Sequence, residues 1–351
     1  MQSPADSLAI AVAGAGAIGR KHIVALGTSR AARLGAIVDP SDDAAELAAS
    51  LGVPYHKGLA DLTGVAGVVL ATPTALHLQQ GLECVAMGLP ALIEKPVTAS
   101  APDALVLADA AEAAGVPMLV GHHRRHNPRI ARARELVQSG AIGRVVAVQA
   151  SVMLCKPDDY FAPEWRRQPG AGPVLTNLIH DIDFLRHIVG EIADVQAVQS
   201  NALRGFAVED TAAAILRFEN GALGTVTVSD TAAAPWSWEL TSAENPDYPP
   251  TGQSCTWISG THGALELPSL RMWRHQDGPR GWFTPLGAHE ADVQDADPLL
   301  LQIDHFAAVI RGEAAPLVSL RDAARSVAVV DAIRRAAGTA GRETIMEREI
   351  Q

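Results

Sequence analysis

The sequence predicts an α/β protein, with a doubly wound parallel sheet first and a second domain of antiparallel sheet plus helices after it. Two observations carry this expectation. From Leu8 to Gly121 short apolar runs alternate with helix-like stretches, the βαβ pattern of a parallel sheet covered on both faces. Beyond Asn127-Pro128 the texture changes to longer valine-rich runs, and two of the later runs are joined by Glu219-Asn220-Gly221. Asn-Gly is the turn that closes an antiparallel hairpin.

In the first region the expected strands are Leu8 to Ala13, Leu34 to Asp39, Val68 to Ala71, Ala91 to Glu94 and Met118 to Val120. Helices are expected at Asp42 to Leu51, opened by Ser41 as N-cap, and at Leu76 to Met87, stopped by Gly88. The second region begins with a helical run, Arg129 to Ser139, and a long strand, Arg144 to Met153. The hairpin strands are Asp210 to Phe218 and Ala222 to Asp230, followed by strands at Cys255 to Ser259 and Ala264 to Leu267. Pro298 to Arg311 and Ser319 to Ala337 read as late amphipathic helices, and Pro235 to Gly252 as a loop with no assigned role. The expected domains are 1–123 and 124–351.

Composition sets the class. Of 351 residues 48% are hydrophobic and 4% aromatic, enough to fill cores for about two domains. A net charge of -11 offers no overall positive field to a phosphate backbone, so neither nucleic acid nor an anionic membrane is an expected partner. Cys84, Cys155 and Cys255 lie far apart without CxxC spacing, which fits reduced thiols rather than a disulfide framework. The first residues lack a basic n-region, and glycine, proline or charge interrupts every apolar run before it could span a bilayer. A cytoplasmic protein is expected.

Gly14-Ala15-Gly16-Ala17-Ile18-Gly19 follows the first strand and opens a helix-like run. A dinucleotide fold needs the first glycine for a tight turn, the second for backbone approach to a pyrophosphate and the third for close packing. The helix N-terminus then presents N–H groups and a positive dipole end to the phosphates. A lone GxGxxG also occurs as a merely structural turn. Asp39 strengthens the dinucleotide reading, because it ends the second strand about 20 residues past Gly19 and can accept bonds from ribose hydroxyls while repelling a 2′-phosphate. Its alternative is a simple Asp-Pro turn. NAD is favoured over NADP.

Ligands of open parallel sheets bind beyond the carboxyl ends of the strands, where this chain carries Thr72-Pro73-Thr74, Glu94-Lys95-Pro96 and His122-His123-Arg124. An ammonium at Lys95 could steady a developing alkoxide or share its proton; a surface Glu-Lys pair is the plain alternative. His180 lies near the start of the apolar run Ile182 to Val189 and is a natural proton acceptor near neutral pH, or else a capping or core histidine. Asp181 and Asp183 read first as helix-dipole residues. His122, His123, His126, Asp181 and His187 do not make a convincing metal site, because Asn127-Pro128 disfavours a helix through the histidines. No metal is expected.

Together the Gly14 to Gly19 loop, Asp39, Thr72-Pro73-Thr74 with His77, Glu94-Lys95-Pro96 and His180-Asp181-Ile182-Asp183 resemble the Gfo/Idh/MocA family of oxidoreductases. The resemblance implies a Rossmann domain followed by an α/β domain on an open, mostly antiparallel sheet, with homodimers or homotetramers formed through that sheet. It makes Lys95 and His180 the catalytic pair. It also implies that Gly14, Gly16, Ala17, Ile18, Gly19, Asp39, Thr72, Pro73, Thr74, His77, Glu94, Lys95, Pro96, Trp165 and Arg166 contact NAD. His123, Arg124, Thr176 and Asn177 are implied to contact a small-molecule substrate. Many members carry aspartate four residues before the histidine; Thr176 stands there instead. The implied activity is hydride transfer between nicotinamide and a secondary alcohol of a polyol, sugar or sugar acid, with Arg124 and Arg125 leaving room for an anionic one. A dihydrodiol dehydrogenase, an aldose or imine reductase and a non-catalytic NAD-sensing regulator are the alternatives.

Overall fold

The computed structural model describes residues 7–276, 279–339 and 341–345. The described residues form two compact units, the first made of 7–126 together with 296–327, the second of 127–295 and 328–345. The first unit contains β1 (Leu8–Ala13), α1 (Ala17–Thr28), β2 (Ala32–Val38), α2 (Asp42–Leu51), β3 (Tyr55–His56), β4 (Gly67–Leu70), α3 (His77–Met87), β5 (Ala91–Glu94), α4 (Ala101–Ala114) and β6 (Met118–Gly121). The six strands form one parallel sheet in the order β3-β2-β1-β4-β5-β6. Ile10 to Ala13, Val68 to Leu70 and Ala91 to Ile93 are buried, as continuous apolar runs covered on both faces should be. The order reverses between β1 and β4, so the loop after β1 opens at the switch point where such sheets bind ligands. Ser41 caps α2 by accepting from Ala44 N–H, and Gly88 ends α3 in the left-handed region.

Helix α4 has no counterpart in the sequence reading. Ser100 caps it and Gly115 closes it, yet its alanines give no contrast between faces for periodicity to detect.

The second unit contains α5 (Pro128–Gln138), β7 (Val145–Met153), α6 (Ile179–Val189), β8 (Ile192–Ser200), β9 (Thr211–Phe218), β10 (Leu223–Ser229), α7 (Trp238–Thr241), β11 (Thr256–Gly260), β12 (Gly263–Leu267), β13 (Arg271–His275) and β14 (Leu286–Glu290). Helices α8 (Pro298–Ile310) and α9 (Leu320–Thr339) follow, and β15 (Arg342–Thr344) closes the order. The nine strands run β14-β13-β12-β11-β7-β10-β9-β8-β15. Among the described residues only β7 and β10 pair in parallel within this sheet. The Asn220-Gly221 turn closes the β9–β10 hairpin as expected, with Gly221 at φ +87° and Phe218 N–H donating to Ala222 O at 2.9 Å. Ala212, Ala214, Leu216 and Phe218 are buried, while Ala213, Ile215 and Arg217 face outward. The outward face also exposes Val198 and Leu223. Among the described residues no helix is long and apolar enough to cross a membrane.

The expected second domain, 124–351, differs from this division, because residues 296–327 belong with the first unit. The cause is apolar docking that local sequence does not encode. Helix α8 packs on α1 and β2, Phe306 and Ile310 close over Gly67 on β4, and Val120 N–H of β6 donates to Val318 O at 3.0 Å.

Candidate active site

In the first unit the phosphate loop is built as its glycines require. Gly14 sits at φ +92°, and a Cβ there would lie 2.5 Å from Ala71 O. A Cβ on Gly19 would lie 1.8 Å from Gly14 O, whereas one on Gly16 would meet no protein atom within 4 Å. Gly16 is therefore the glycine that the protein's own packing does not need. Asp39 follows β2 and turns back to the loop: its Oδ2 accepts from Ala15 N–H at 2.8 Å, and its Oδ1 accepts from Ser41 N–H at 2.9 Å and the Ser41 hydroxyl at 2.6 Å. Partial burial raises its pKa, but these bonds and the nearby Arg20 outweigh it and hold the carboxyl below its usual range.

At the end of β5 the Glu94 carboxylate is buried. Its Oε1 lies 2.7 Å from Nε2 of buried His22 on α1, and its Oε2 accepts from Lys95 N–H at 3.2 Å. Gly121 on β6 makes room for it, since a Cβ there would lie 2.9 Å from Glu94 Oε1. Burial raises the Glu94 pKa, and His22 with the more distant His123 and Lys95 reverses the effect, leaving it lowered. Lys95 is half-buried. His77 opens α3 and joins two strand ends, with Nε2 2.8 Å from Thr72 O and Nδ1 2.9 Å from Pro96 O. Thr72 Oγ1 donates to Gln80 Oε1 at 2.5 Å, and the His77 ring, lying between Thr72 O and Pro96 O, links Thr72–Thr74 to Glu94–Pro96 at the carboxyl edge of the sheet.

In the second unit a π-helical turn, Val174–Leu178, runs directly into α6. Thr176, Asn177 and His180 consequently lie on one continuous helical segment rather than on a loop leading to a helix at Ile182. Widening the turn brings residues four to five apart onto one face, and such turns are frequent at functional sites. His180 is buried. The Thr176 hydroxyl lies 2.9 Å from Gly172 O and 3.0 Å from Asn177 Oδ1, and it accepts from Lys156 Nζ at 3.3 Å. Lys156 is itself buried, 4.9 Å above the Tyr160 ring and 3.9 Å from Asp230 Oδ2. Arg204 holds Asp230 more closely, at 2.9 Å through Nε. Burial dominates at Asp230 and raises its pKa despite Arg204 and Lys156. Arg166 stacks on Tyr160 at 4.1 Å.

Family models match both units: an NAD-binding Rossmann fold of an oxidoreductase family over residues 8–122, and a GFO/IDH/MocA C-terminal domain over residues 130–266. The chain belongs to the Gfo/Idh/MocA family. It is an NAD-binding oxidoreductase of that family. The rhizopine catabolism protein MocA of Rhizobium meliloti is 24% identical over 92% of this chain and 93% of its own length. The NAD-dependent scyllo-inositol 2-dehydrogenase of Bacillus subtilis is 26% identical over 89% of each. An oxidoreductase from Agrobacterium radiobacter, solved with NAD+, L-tartaric acid and magnesium, shares the fold at TM-score 0.81 with 22% identity, covering 97% of this chain and 98% of that one.

The residues of this Gfo/Idh/MocA protein fit a dinucleotide: of the three loop glycines Gly16 alone faces open space, and Asp39 is fixed beside it. Arg125 differs from the expectation that it helps to receive an anion. It is buried and paired with Asp322, which takes up its charge. Arg124 is buried and His123 half-buried in a 3-10 turn, His123–His126. That turn keeps His122 and His126 off a common α-helical face. Asp183 is not an exposed first-turn residue, because the helix starts earlier; it is buried with Oδ1 4.0 Å from Arg186. Trp165 is exposed on its own short turn, Glu164–Arg167. Sequence reasoning missed His22, Lys156, Arg204 and Asp230. Lys156 had a usable signal, since Cys155-Lys156-Pro157 repeats the lysine-proline ending of an apolar strand seen at Glu94-Lys95-Pro96.

Proposed function

We propose that this protein is an NAD-dependent dehydrogenase that oxidises a secondary alcohol of a polyol, sugar or sugar acid. The observation that carries the reading is Lys95, held through its backbone by the buried Glu94–His22 pair on the same carboxyl edge of the parallel sheet as the open phosphate loop. The inositol dehydrogenases among the relatives and a structurally similar levoglucosan dehydrogenase support the substrate class. NAD, when bound, supplies a hydride acceptor at nicotinamide C4. Asp39 binds the ribose hydroxyls and disfavours NADP. Lys95 holds the substrate oxygen as negative charge develops on it, and His180 takes the hydroxyl proton. Thr176, Asn177, His123 and Arg124 orient the substrate. Thr72, Pro73, Thr74, His77 and Pro96 line the nicotinamide, and Trp165 and Arg166 reach the cofactor.

The protein acts as a homodimer or homotetramer, with Val198, Ile215 and Leu223 on the outward sheet face supplying apolar contact. Its three cysteines are free thiols, which fits the reducing cytosol. Following NADH absorbance with a panel of polyols, sugars and sugar acids tests the reading. NADH formation with a member of the panel supports it, and a protein that binds NAD but reduces it with none contradicts it.

A further inference from the structure

The helical run that carries His180 begins against a buried carboxylate that the proposed mechanism does not use. The first N–H groups of a helix have no partner inside it, and Pro173, directly before the run, has no N–H to offer. Val174 opens the run, is fully buried, and donates its N–H to Glu209 Oε1 at 3.2 Å. Glu209 is buried as well. Burial raises its pKa and Asp230 adds to the rise, outweighing the bonds from its own N–H and that of Val174 and the charge of Arg334 on α9, which lower it. Gly172 seats the carboxylate: a Cβ there would lie 2.1 Å from Glu209 Oε1 and 2.5 Å from Oε2, and its three nearest atoms would all belong to Glu209. The Gly172 backbone is not left-handed, so the close approach of the carboxylate, and not conformation, calls for glycine. Thr176 holds Gly172 from within the run, its N–H and hydroxyl lying 3.1 and 2.9 Å from Gly172 O.

Glu209 is in turn fixed to the sheet. It stands just ahead of β9, and its neighbour Asp210 donates its N–H to Ser200 O of β8 at 2.9 Å and accepts from Asp230 N–H at 3.0 Å. A helix moves as a stiff body, so an acceptor that sets where the run starts also sets where His180 stands farther along it. We infer that Glu209 is a positioning residue of this site: by receiving Val174 N–H and seating on Gly172 it fixes the start of the π-helical turn and, through it, the ring of His180. The inference rests on the proposed role of His180 as base. Glu209 exchanges no proton with the substrate; its part is an acceptor oxygen held at this place.

Three variants separate the possibilities. Glu209→Ala removes the acceptor, Glu209→Gln keeps an oxygen for Val174 N–H, and Gly172→Ala leaves Glu209 in the chain but drives its carboxylate off the contact. Circular dichroism at the assay temperature establishes that each is folded, and calorimetry should show NAD affinity unchanged. A misplacement of about 1 Å can cost on the order of 10²-fold in rate, so kcat for NADH formation should fall about 10- to 100-fold in Glu209→Ala and in Gly172→Ala. Glu209→Gln should retain most of it. The double variant Gly172→Ala with Glu209→Ala should be no slower than Glu209→Ala, because both changes act on one contact. In protein labelled with nitrogen-15 histidine, the ring signal of His180, identified by its loss in His180→Gln, should move in both alanine variants and stay in place in Glu209→Gln. Near-native kcat in a folded Glu209→Ala overturns the inference, and so does an unmoved ring signal. A Glu209→Gln as slow as Glu209→Ala, or losses that multiply in the double variant, overturn it too. If Glu209→Ala does not fold, Gly172→Ala and Glu209→Gln decide by the same criteria. Should the wild type form NADH from no compound, a ring signal that moves in the alanine variants alone would sustain the positioning and refute the oxidation instead.

Discussion

Replacing Gly16 by valine should abolish NAD binding and leave the fold intact. The backbone there is extended, φ -71° and ψ -167°, a conformation open to any residue, and a Cβ would meet no protein atom within 4 Å. Losing glycine stiffens the unfolded chain, which stabilises by about 0.4–1 kcal/mol, while the N-cap preference for glycine over an aliphatic residue offsets a similar amount. The apo-protein should therefore melt within about 3 °C of wild type. The new side chain instead occupies the space a pyrophosphate needs. Losing two N–H bonds to a charged group, at about 1.5–3 kcal/mol each, corresponds to roughly 10²- to 10⁴-fold in Kd. Gly19→Ala is the contrasting control, since its Cβ would fall 1.8 Å from Gly14 O and must lower apo stability by about 1–3 kcal/mol or more. Thermal melting without NAD and calorimetric titration with NAD separate the two effects. A folded Gly16→Val that binds NAD as tightly as wild type would refute the assignment, as would an apo melting temperature that falls as far as in Gly19→Ala.

Three further outcomes are expected. Asp39→Ala should weaken NAD use and relax discrimination against NADP, read as kcat/KM with each cofactor; a wild type that already prefers NADP contradicts the role given to Asp39. Glu94 has a lowered folded pKa, so its stabilising contribution is present above its ordinary value of 4.5 and is lost as pH falls through the lower folded value. Glu94→Gln should accordingly melt below wild type at neutral pH, with the gap closing under acid conditions. Ile215→Glu, on the outward face of β9, should shift the light-scattering mass toward the monomer while leaving the circular dichroism spectrum unchanged.

The parallel sheet was legible because β1, β4, β5 and β6 are continuous apolar runs, and because the Gly14 to Gly19 loop falls directly after the first. The hairpin announced itself through Asn220-Gly221. Less was visible where residues lack contrast: β13 and β14 carry polar and exposed residues such as Arg271, Arg274, His289 and Glu290. Strand β8 does alternate in part, through Val195 and Ala197, but its outer residues are mixed. Docking of α8 on the first unit depends on partners such as Gly67, more than 200 residues away in the chain. The same holds in the site. Lys95 and His180 are candidates that local sequence and the resemblance it carries put forward, whereas the contacts between Glu94 and His22, 72 residues apart, and between Thr176 and Lys156, 20 apart, exist only in the folded chain.

The central claim is that Lys95 and His180 carry out proton and oxygen handling during hydride transfer to NAD. Steady-state NADH formation by Lys95→Ala and His180→Ala, beside NAD titrations of each, tests it most directly. Each variant should lose about 10²- to 10⁴-fold in kcat, as when a positioned acid or base is removed, with NAD affinity nearly unchanged, and His180→Ala should lose the acidic limb of the pH profile. A His180→Ala enzyme with near-native kcat and an intact pH profile would contradict the account.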